Sequence, residues 1–401
     1  MSDPAVLEFS ARRAGSAPAA PRDRAGACER LRVAFLAGGL WQGGAERQVL
    51  YMARALKALG ADVLLLTLAP GQRYDEEVAR LGVPVVPIPR GLRAWRLAAI
   101  SRAVGEFKPH IFQAAHFYVN LHVSIVARLH GLVSIGCVRN DGHHELDANR
   151  LWGRALLRTP RSLIVNSRVA ERNACALGRR PDTVHVLPNV IDLVEFDARM
   201  LERVEAPLPP SPVAIAAGRL VSQKRMDRFV RAVAALRRQR VAIRGVIAGD
   251  GPDRLQLERL ARGLAGPDAI RFLGCRDDLP ALLTRADFAV LTSDHEGCPN
   301  VILEAMAASL PVISTPAGDA GVLVQNDITG YLVPFEDEAG LSARMADLAA
   351  SPARRRRLGR AGRQLVSKLY GFEGLGARLL DLYRTIAAQQ ANGAAMAVLS
   401  A

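Results

Sequence analysis

The chain has 401 residues, 50% of them hydrophobic, which is long for a single core and sets an expectation of two ordinary domains. No run is long or apolar enough to span a bilayer, and five scattered cysteines without a Cys-x-x-Cys pair exclude a disulfide scaffold and a structural zinc site and fit a reducing compartment. A net charge of +14 points to phosphate-rich ligands, acidic lipid or nucleic acid; polynucleotides are set aside because aromatics make up only 5% and no zinc-finger spacing or aromatic-basic module accompanies the charge.

Residues 1–30 hold Ala, Gly, Pro and Arg without a continuous apolar segment, so a disordered extension is expected rather than a secretory signal. A strand is predicted over 31–37, then the loop Gly38-Gly39-Leu40-Trp41-Gln42-Gly43-Gly44, an amphipathic helix over 45–59 and a strand over 63–68. Glycines let backbone approach a ligand, and the helix amino end adds free N–H groups. The string is neither the dinucleotide fingerprint nor a lysine-bearing P-loop, and Glu46 and Arg47 fit an ordinary first helical turn as well as a ligand contact.

The strand and helix alternation continues through 83–88, a basic helix near 92–107 and a strand at 110–115. Trp95 with Arg93, Arg96 and Arg102 reads first as a solvated basic face, with contact to acidic headgroups as the alternative. His116 directly follows its strand, at the end where functional groups gather, although satisfying backbone groups is the simpler role. A strand at 134–138 runs into Arg139-Asn140-Asp141-Gly142-His143-His144. No spacing there completes four metal ligands, so no metal is expected, and Arg139, Asn140 and Asp141 are candidates for an acceptor. Strands at 162–167 and 184–187 follow, the latter ending in Pro188-Asn189-Val190-Ile191-Asp192.

The proline-rich stretch 206–212 breaks the pattern. A strand over 213–217 then ends in Gly218-Arg219 with Lys224 five positions on, and two cations around one strand-to-helix turn can converge on a diphosphate, one by a planar fork and one as a compact charge. Strands at 243–248 and 270–274 end in Gly249-Asp250-Gly251-Pro252 and in Cys275-Arg276; Asp277 and Asp278 read as caps or solvated acids. Residues 288–291 and 312–313 are continuously apolar, as strands inside a sheet covered on both faces are. Ligands of open α/β sheets collect beyond such strand ends; Glu296 sits there, and Glu304 lies eight residues on, about one turn into a helix starting near Asn300. The helix amino end beside Glu296 suits an anionic ligand or hydroxyls held by the carboxylate, and Cys298 reads as a small buried filler rather than a nucleophile.

Glu296 and Glu304 in the string S-D-H-E-G-C-P-N-V-I-L-E-A-M-A-A-S-L-P-V-I resemble the signature of retaining GT-B glycosyltransferases, glycosyltransferase family 4 or glycosyl transferases group 1. G-G-x-x-x-G-G-A-E-R resembles the family's opening loop, Gly218 to Lys224 its G-R-L-x-x-x-K segment, and Gly249 to Pro252 its G-x-G-P turn. Three departures stand out: Ser309 and Arg225 occupy positions where glycine is usual, and Val190 interrupts the family's P-N-G-V-D loop, which weakens any role for Asp192. The resemblance covers about residues 31–388. It implies an α/β fold of two Rossmann-like domains facing across a cleft, with a C-terminal helix crossing back to the first.

The expected division is an acceptor-side domain over 31–195, a linker over 196–211, a nucleotide-sugar domain over 212–366, a crossover region over 367–390 and a tail over 391–401. By the same resemblance Arg219 and Lys224 hold the donor diphosphate, Glu296 the sugar hydroxyls and Glu304 the ribose, while His116 serves the transferred sugar. Gly43, Gly44, Gly218, Gly249, Gly251, Cys275, Arg276, Gly297, Cys298, Pro299, Asn300 and Val301 line the donor; Asn189 joins the acceptor side. A UDP-sugar is favoured over a GDP-sugar, with no cofactor. The acceptor is a glycan, lipid-linked carrier or small metabolite hydroxyl, and the location is cytoplasmic, including the inner face of the plasma membrane. A secondary-metabolite transferase, a nucleotide-sugar epimerase and a noncatalytic nucleotide-sugar or nucleic-acid binder are the alternatives.

Overall fold

Each apolar run of the first half forms a strand lying parallel to its neighbours, because the amphipathic segment between two runs must return the chain to the same edge. A computed structural model describes residues 30–41, 43–71, 73–203 and 212–400. The expected extension up to residue 29, Cys28 within it, and the proline-rich stretch up to residue 211 lie outside the described residues.

The first sheet contains β1 (Arg32–Ala37), β2 (Asp62–Thr67), β3 (Val85–Pro87), β4 (Ile111–Ala114), β5 (Val133–Val138), β6 (Ser162–Val165) and β7 (Val184–Val186), in the order β3-β2-β1-β4-β5-β6-β7. The second contains β8 (Val213–Ala217), β9 (Arg244–Ala248), β10 (Ile270–Gly274), β11 (Phe288–Leu291), β12 (Val312–Ser314) and β13 (Gly330–Leu332), in the order β10-β9-β8-β11-β12-β13. Every pairing between these strands is parallel. As their apolar content requires, β11 and β12 lie inside their sheet. Strand order reverses between β1 and β4 in one sheet and between β8 and β11 in the other, and the strand ends at such reversals form a crevice.

The helix Leu375–Gln389 crosses back as expected: Leu375, Leu379, Tyr383 and Ile386 are buried with Val33, Phe35, Met52 and Leu56 of the first domain. Tyr383 donates its hydroxyl to Gln113 Oε1 at 2.7 Å, satisfying two polar groups inside that core. Where the chain passes between domains, its two passages pair: Ile191 N–H donates to the Tyr370 carbonyl at 2.9 Å, and Phe372 N–H to the Ile191 carbonyl at 3.0 Å.

Two boundaries are corrected. The expected linker from residue 196 begins inside the helix Leu193–Met200, which Asp192 caps by accepting from Glu195 N–H and which buries Phe196 against the second domain. The expected tail over 391–401 contains the helix Gly393–Ser400, whose Ala395 and Leu399 complete the first domain's core; an apolar face adjoining a core that could use it favoured folding over disorder.

Ser309 and Arg225, the two departures from glycine, both have left-handed backbone, with φ of 58° and 45°. Arg225 is compensated by ion pairs to Asp227 and Asp294 at 3.0 and 3.3 Å. Ser309 has no such compensation among the described residues. Relief of a left-handed penalty of about 1–2 kcal/mol, less the extra chain entropy of glycine, should make Ser309→Gly more stable by about 0.5–1 kcal/mol. Urea unfolding of the two proteins measures this, and an unchanged or lower midpoint would contradict it.

Candidate functional site

The groups singled out in the sequence emerge from the strand ends at the two reversals. Arg219 and Lys224 follow β8, and Glu296 follows β11, the strand hydrogen-bonded beside it. Lys224 Nζ lies 2.5 Å from Glu296 Oε1, and the Ser293 hydroxyl donates to the same oxygen at 2.7 Å. The Lys224 and Glu296 side chains are only 15% and 10% exposed, so each is the principal solvation of the other.

The two loops are laced together before any ligand arrives. The Thr292 hydroxyl donates to the Arg225 carbonyl at 2.8 Å, Asp294 N–H to the Gln223 carbonyl at 2.9 Å, and the Gln223 amide to the His295 carbonyl at 2.5 Å. Buried Arg228 holds Asp294 at 2.5 Å and the Thr292 carbonyl at 3.1 Å. Arg219 differs from its neighbours: it is exposed and its side chain makes no hydrogen bond or ion pair among the described residues.

From the first domain, His116 accepts from Gly38 N–H through Nδ1 at 3.1 Å, so the neutral ring carries its proton on Nε2, 3.2 Å from Glu46 Oε1. Tyr118 stacks on the His116 ring at 5.4 Å between centroids. Arg47 pairs with Glu304 across the domains; burial works most strongly against the Arg47 charge, and Glu304, Tyr51 and Tyr74 together outweigh it, raising the guanidinium pKa. Gln48 donates to Asn300 Oδ1 at 3.2 Å and to the Val190 carbonyl at 2.8 Å. Asn189 donates to the Cys298 carbonyl at 2.7 Å.

His295 Nδ1 meets Asp141 Oδ2 at 2.7 Å, and the His295 ring stacks on His144 at 5.8 Å. Burial, followed by the His295 charge, lowers the His144 pKa. Asp319 of the second domain accepts from Arg168 and Val169 N–H at 2.8 and 3.1 Å, capping the helix Arg168–Ala176 of the first. Its carboxyl pKa is raised by burial, which those N–H bonds oppose.

The structure therefore brings His116, Lys224, Glu296, Glu304, Asn300, Asp141 and Asn189 to one interdomain layer, but several have resident partners. Asp141 and Asn189 grip the opposing loop. Arg276 is held by Asp278 at 2.8 and 2.6 Å. The Cys298 side chain lies in the core beside Ile302 and Leu303, and burial pushes its thiol up to about 12, so only its backbone faces the layer.

The glycines have close neighbours of their own. A Cβ on Gly297 would stand 2.2 Å from Asn166 Oδ1, and one on Gly44 2.0 Å from Asn300 Nδ2. On Gly249 and Gly251 it would meet the Gly218 and Leu220 carbonyls at 1.8 and 2.3 Å. Asp319, His295, Gln48, Asn166 and Ser293 were not anticipated. Of these Ser293 and His295 carried a local signal, three residues and one residue before Glu296 in the same loop. Among the described residues no group of three or more His, Cys, Asp or Glu side chains could hold a metal.

Two family models match the chain in series: Glycosyltransferase Family 4 over residues 42–195 and Glycosyl transferases group 1 over residues 201–365. A curated relative, the GDP-mannose-dependent alpha-(1-6)-phosphatidylinositol monomannoside mannosyltransferase of Mycolicibacterium smegmatis, is 28% identical over 78% of this chain and 86% of its own. The lipopolysaccharide core biosynthesis glycosyltransferase LpsD of Rhizobium meliloti is 25% identical over 85% and 95%. Among solved structures, Anabaena HepE in complex with UDP and glucose superposes with a TM-score of 0.78 at 18% identity, covering 88% of this chain and 99% of that one. Sucrose-phosphate synthase from Thermosynechococcus elongatus gives 0.75 at 20%, covering 90% and 100%. These likenesses establish the GT-B fold.

A buried thiol held protonated is a poor nucleophile. Brief maleimide treatment of the folded protein should label exposed Cys275 well before Cys298, as read by peptide mass spectrometry. Equal rates would take Cys298 out of the core.

Proposed function

The chain belongs to the family 4 glycosyltransferases, also called glycosyl transferases group 1, and from that premise we propose a retaining enzyme that moves a sugar from a nucleoside diphosphate to an acceptor hydroxyl. One observation carries the reading: Lys224 stands on Glu296 where β8 and β11 end together, and Arg219, from the same loop as Lys224, has an uncommitted guanidinium. A diphosphate supplies the anion that Arg219 lacks, and a sugar hydroxyl can share the Glu296 carboxylate with Lys224.

In this mechanism the anomeric carbon–oxygen bond breaks with its electron pair passing to the departing diphosphate, whose growing charge Arg219 and Lys224 stabilise. The acceptor oxygen forms its bond to the anomeric carbon on the same face, and its proton passes to the leaving phosphate. Configuration is retained. Glu296 orients the sugar, and Glu304 takes the ribose hydroxyls in competition with Arg47. His116, held between Gly38 N–H and Glu46, serves the transferred sugar. Gly218, Gly249 and Gly251 bring the phosphate-side turns together, and the backbone from Gly297 through Pro299 to Val301, with Cys275, completes the donor wall.

A uridine donor is the first choice, following the structural neighbour solved with UDP and glucose; the GDP-mannose named for a relative keeps guanosine as the second. For the acceptor we favour a polysaccharide or glycolipid under assembly, as the relatives named for phosphatidylinositol mannoside and lipopolysaccharide core suggest.

The first domain also presents a face suited to an anionic membrane. Leu92, Trp95, Leu151 and Trp152 are 73%, 73%, 95% and 52% exposed, and the Arg93 guanidinium lies 5.1 Å from the centre of the Trp152 ring, joining two helices. Large apolar side chains among arginines are what an acidic bilayer surface accommodates. No helix among the described residues is long and apolar enough to cross a membrane.

Arg219→Gln removes an exposed, unpaired side chain, so the fold should persist while transfer falls by about 100- to 1,000-fold. UDP-sugars should raise the melting temperature of the wild-type protein, GDP-sugars less, and NMR of the product should show the donor's anomeric configuration. Undiminished transfer by the variant, or no shift with either donor class at saturation, would refute the assignment. Sedimentation with phosphatidylglycerol vesicles should exceed that with phosphatidylcholine and fall with salt and with the double substitution Trp95→Ser, Trp152→Ser. Equal sedimentation with the two lipids would rule out the membrane face.

A further inference from the structure

A cavity of about 170 Å³ lies at the opposite end of the first sheet from the crevice, where β5 and β6 begin. Its wall includes Arg128, Ser134, Thr159, Arg161, Gln390 and Asn392, and no lining residue is acidic. The Arg128 and Arg161 side chains are exposed and make no hydrogen bond or ion pair among the described residues.

Ser134 supplies an independent observation. It is only 4% exposed, yet its hydroxyl has no hydrogen-bond partner, although both of its backbone groups do. Gln390 Oε1 accepts from Ser134 N–H at 3.0 Å, and Gln390 Nε2 donates to the Ser134 carbonyl at 2.9 Å and to Ser162 Oγ at 3.1 Å. Asn392 donates to the Gly131 carbonyl at 2.8 Å. The turn that carries Gln390 and Asn392 joins the crossing helix to the C-terminal one, so the cavity is closed on one side by the returning strap. A buried polar atom without a partner calls for an occupant.

We propose that this cavity binds a phosphate group, as inorganic phosphate or a small phosphate monoester, and that the bound anion fastens the C-terminal strap to the first domain. Two guanidinium groups and a hydroxyl donor match a tetrahedral anion with several acceptor oxygens. A neutral sugar would leave both cations uncompensated, and a lone carboxylate would be satisfied by one arginine fork. The strap's Gln390 and Asn392 line the cavity together with Arg128 and Arg161, so an anion held there touches both the domain and the strap. The site is separate from the donor phosphates expected at Arg219 and Lys224.

The test uses the full chain, with inorganic phosphate and glucose 6-phosphate as probes and chloride at equal ionic strength as the control. Calorimetric titration should show both probes binding the wild-type protein and the Arg219→Gln variant alike. The double substitution Arg128→Gln, Arg161→Gln should weaken both by at least about tenfold while UDP binding is kept. Ser134→Ala should weaken them as well, and it decides the matter if the arginine variant folds poorly. A stronger titration with glucose 6-phosphate would place its sugar in the cavity, and equal ones would show that phosphate alone is read. Phosphate should also slow amide hydrogen exchange across residues 387–395. Undiminished binding in Ser134→Ala or in the arginine variant, loss in Arg219→Gln, or unaltered exchange in the strap would each overturn the proposal.

Discussion

A lysine and a glutamate withdrawn together from water set the terms for everything around them. Removing either charge from solvent alone costs several kcal/mol, and their attraction offsets that only if geometry is held and spare hydrogen-bonding capacity is met. Ser293 meets some of it on Glu296, and the stitching between the loops at 222–225 and 292–296 keeps Lys224 from drifting. The same requirement explains why Arg228, itself buried, sits behind the loop on Asp294 and the Thr292 carbonyl. A ligand that takes over part of this pair meets groups already oriented, so reorganisation is small when charge moves.

The principle extends across the crevice. Glu304 has Arg47, Asp141 has His295, and Glu46 has His116. Each contact joins groups far apart in the chain, and two of the three bridge the domains. Asp319 adds a neutralising anion at the amino end of the helix Arg168–Ala176, where free N–H groups and the helix dipole both favour it. These links are polar side-chain contacts, whereas the two passages of chain between the domains are paired backbone to backbone at Ile191 and Tyr370 to Phe372.

The fold and the placement of Arg219, Lys224 and Glu296 were legible because they are written locally. Continuous apolar runs become buried parallel strands, and Arg219, Lys224 and Glu296 sit in loops placed by those strands. Arg47 and Glu304 show what local reading cannot reach: the residues are 257 positions apart, and a first-turn arginine reads as a helix charge or a ligand contact, not as the partner of an acid in a second domain. The cross-domain partners of Asp319 and His295 were opaque for the same reason. Cys298 fits the reading of a small buried filler, its side chain packed in the second domain's core. The helix Gly393–Ser400 was missed because eight mostly small residues form too short a helix to stand alone and needed the first domain's core to be worth forming.

The glycines give the last step. Sequence reading treats a glycine-rich loop as room for a ligand, and near Gly218 the left-handed region (φ 147°) and the approach of Gly249 do shape the phosphate-side turn. Gly44 and Gly297 have a different constraint: a side chain on either would collide with Asn300 or Asn166 from the facing domain. Their absence of Cβ sets how closely the halves approach, and that spacing is what lets Gln48 reach Asn300 and Asn189 reach the Cys298 carbonyl. One motif thus encodes two distances, ligand to backbone and domain to domain.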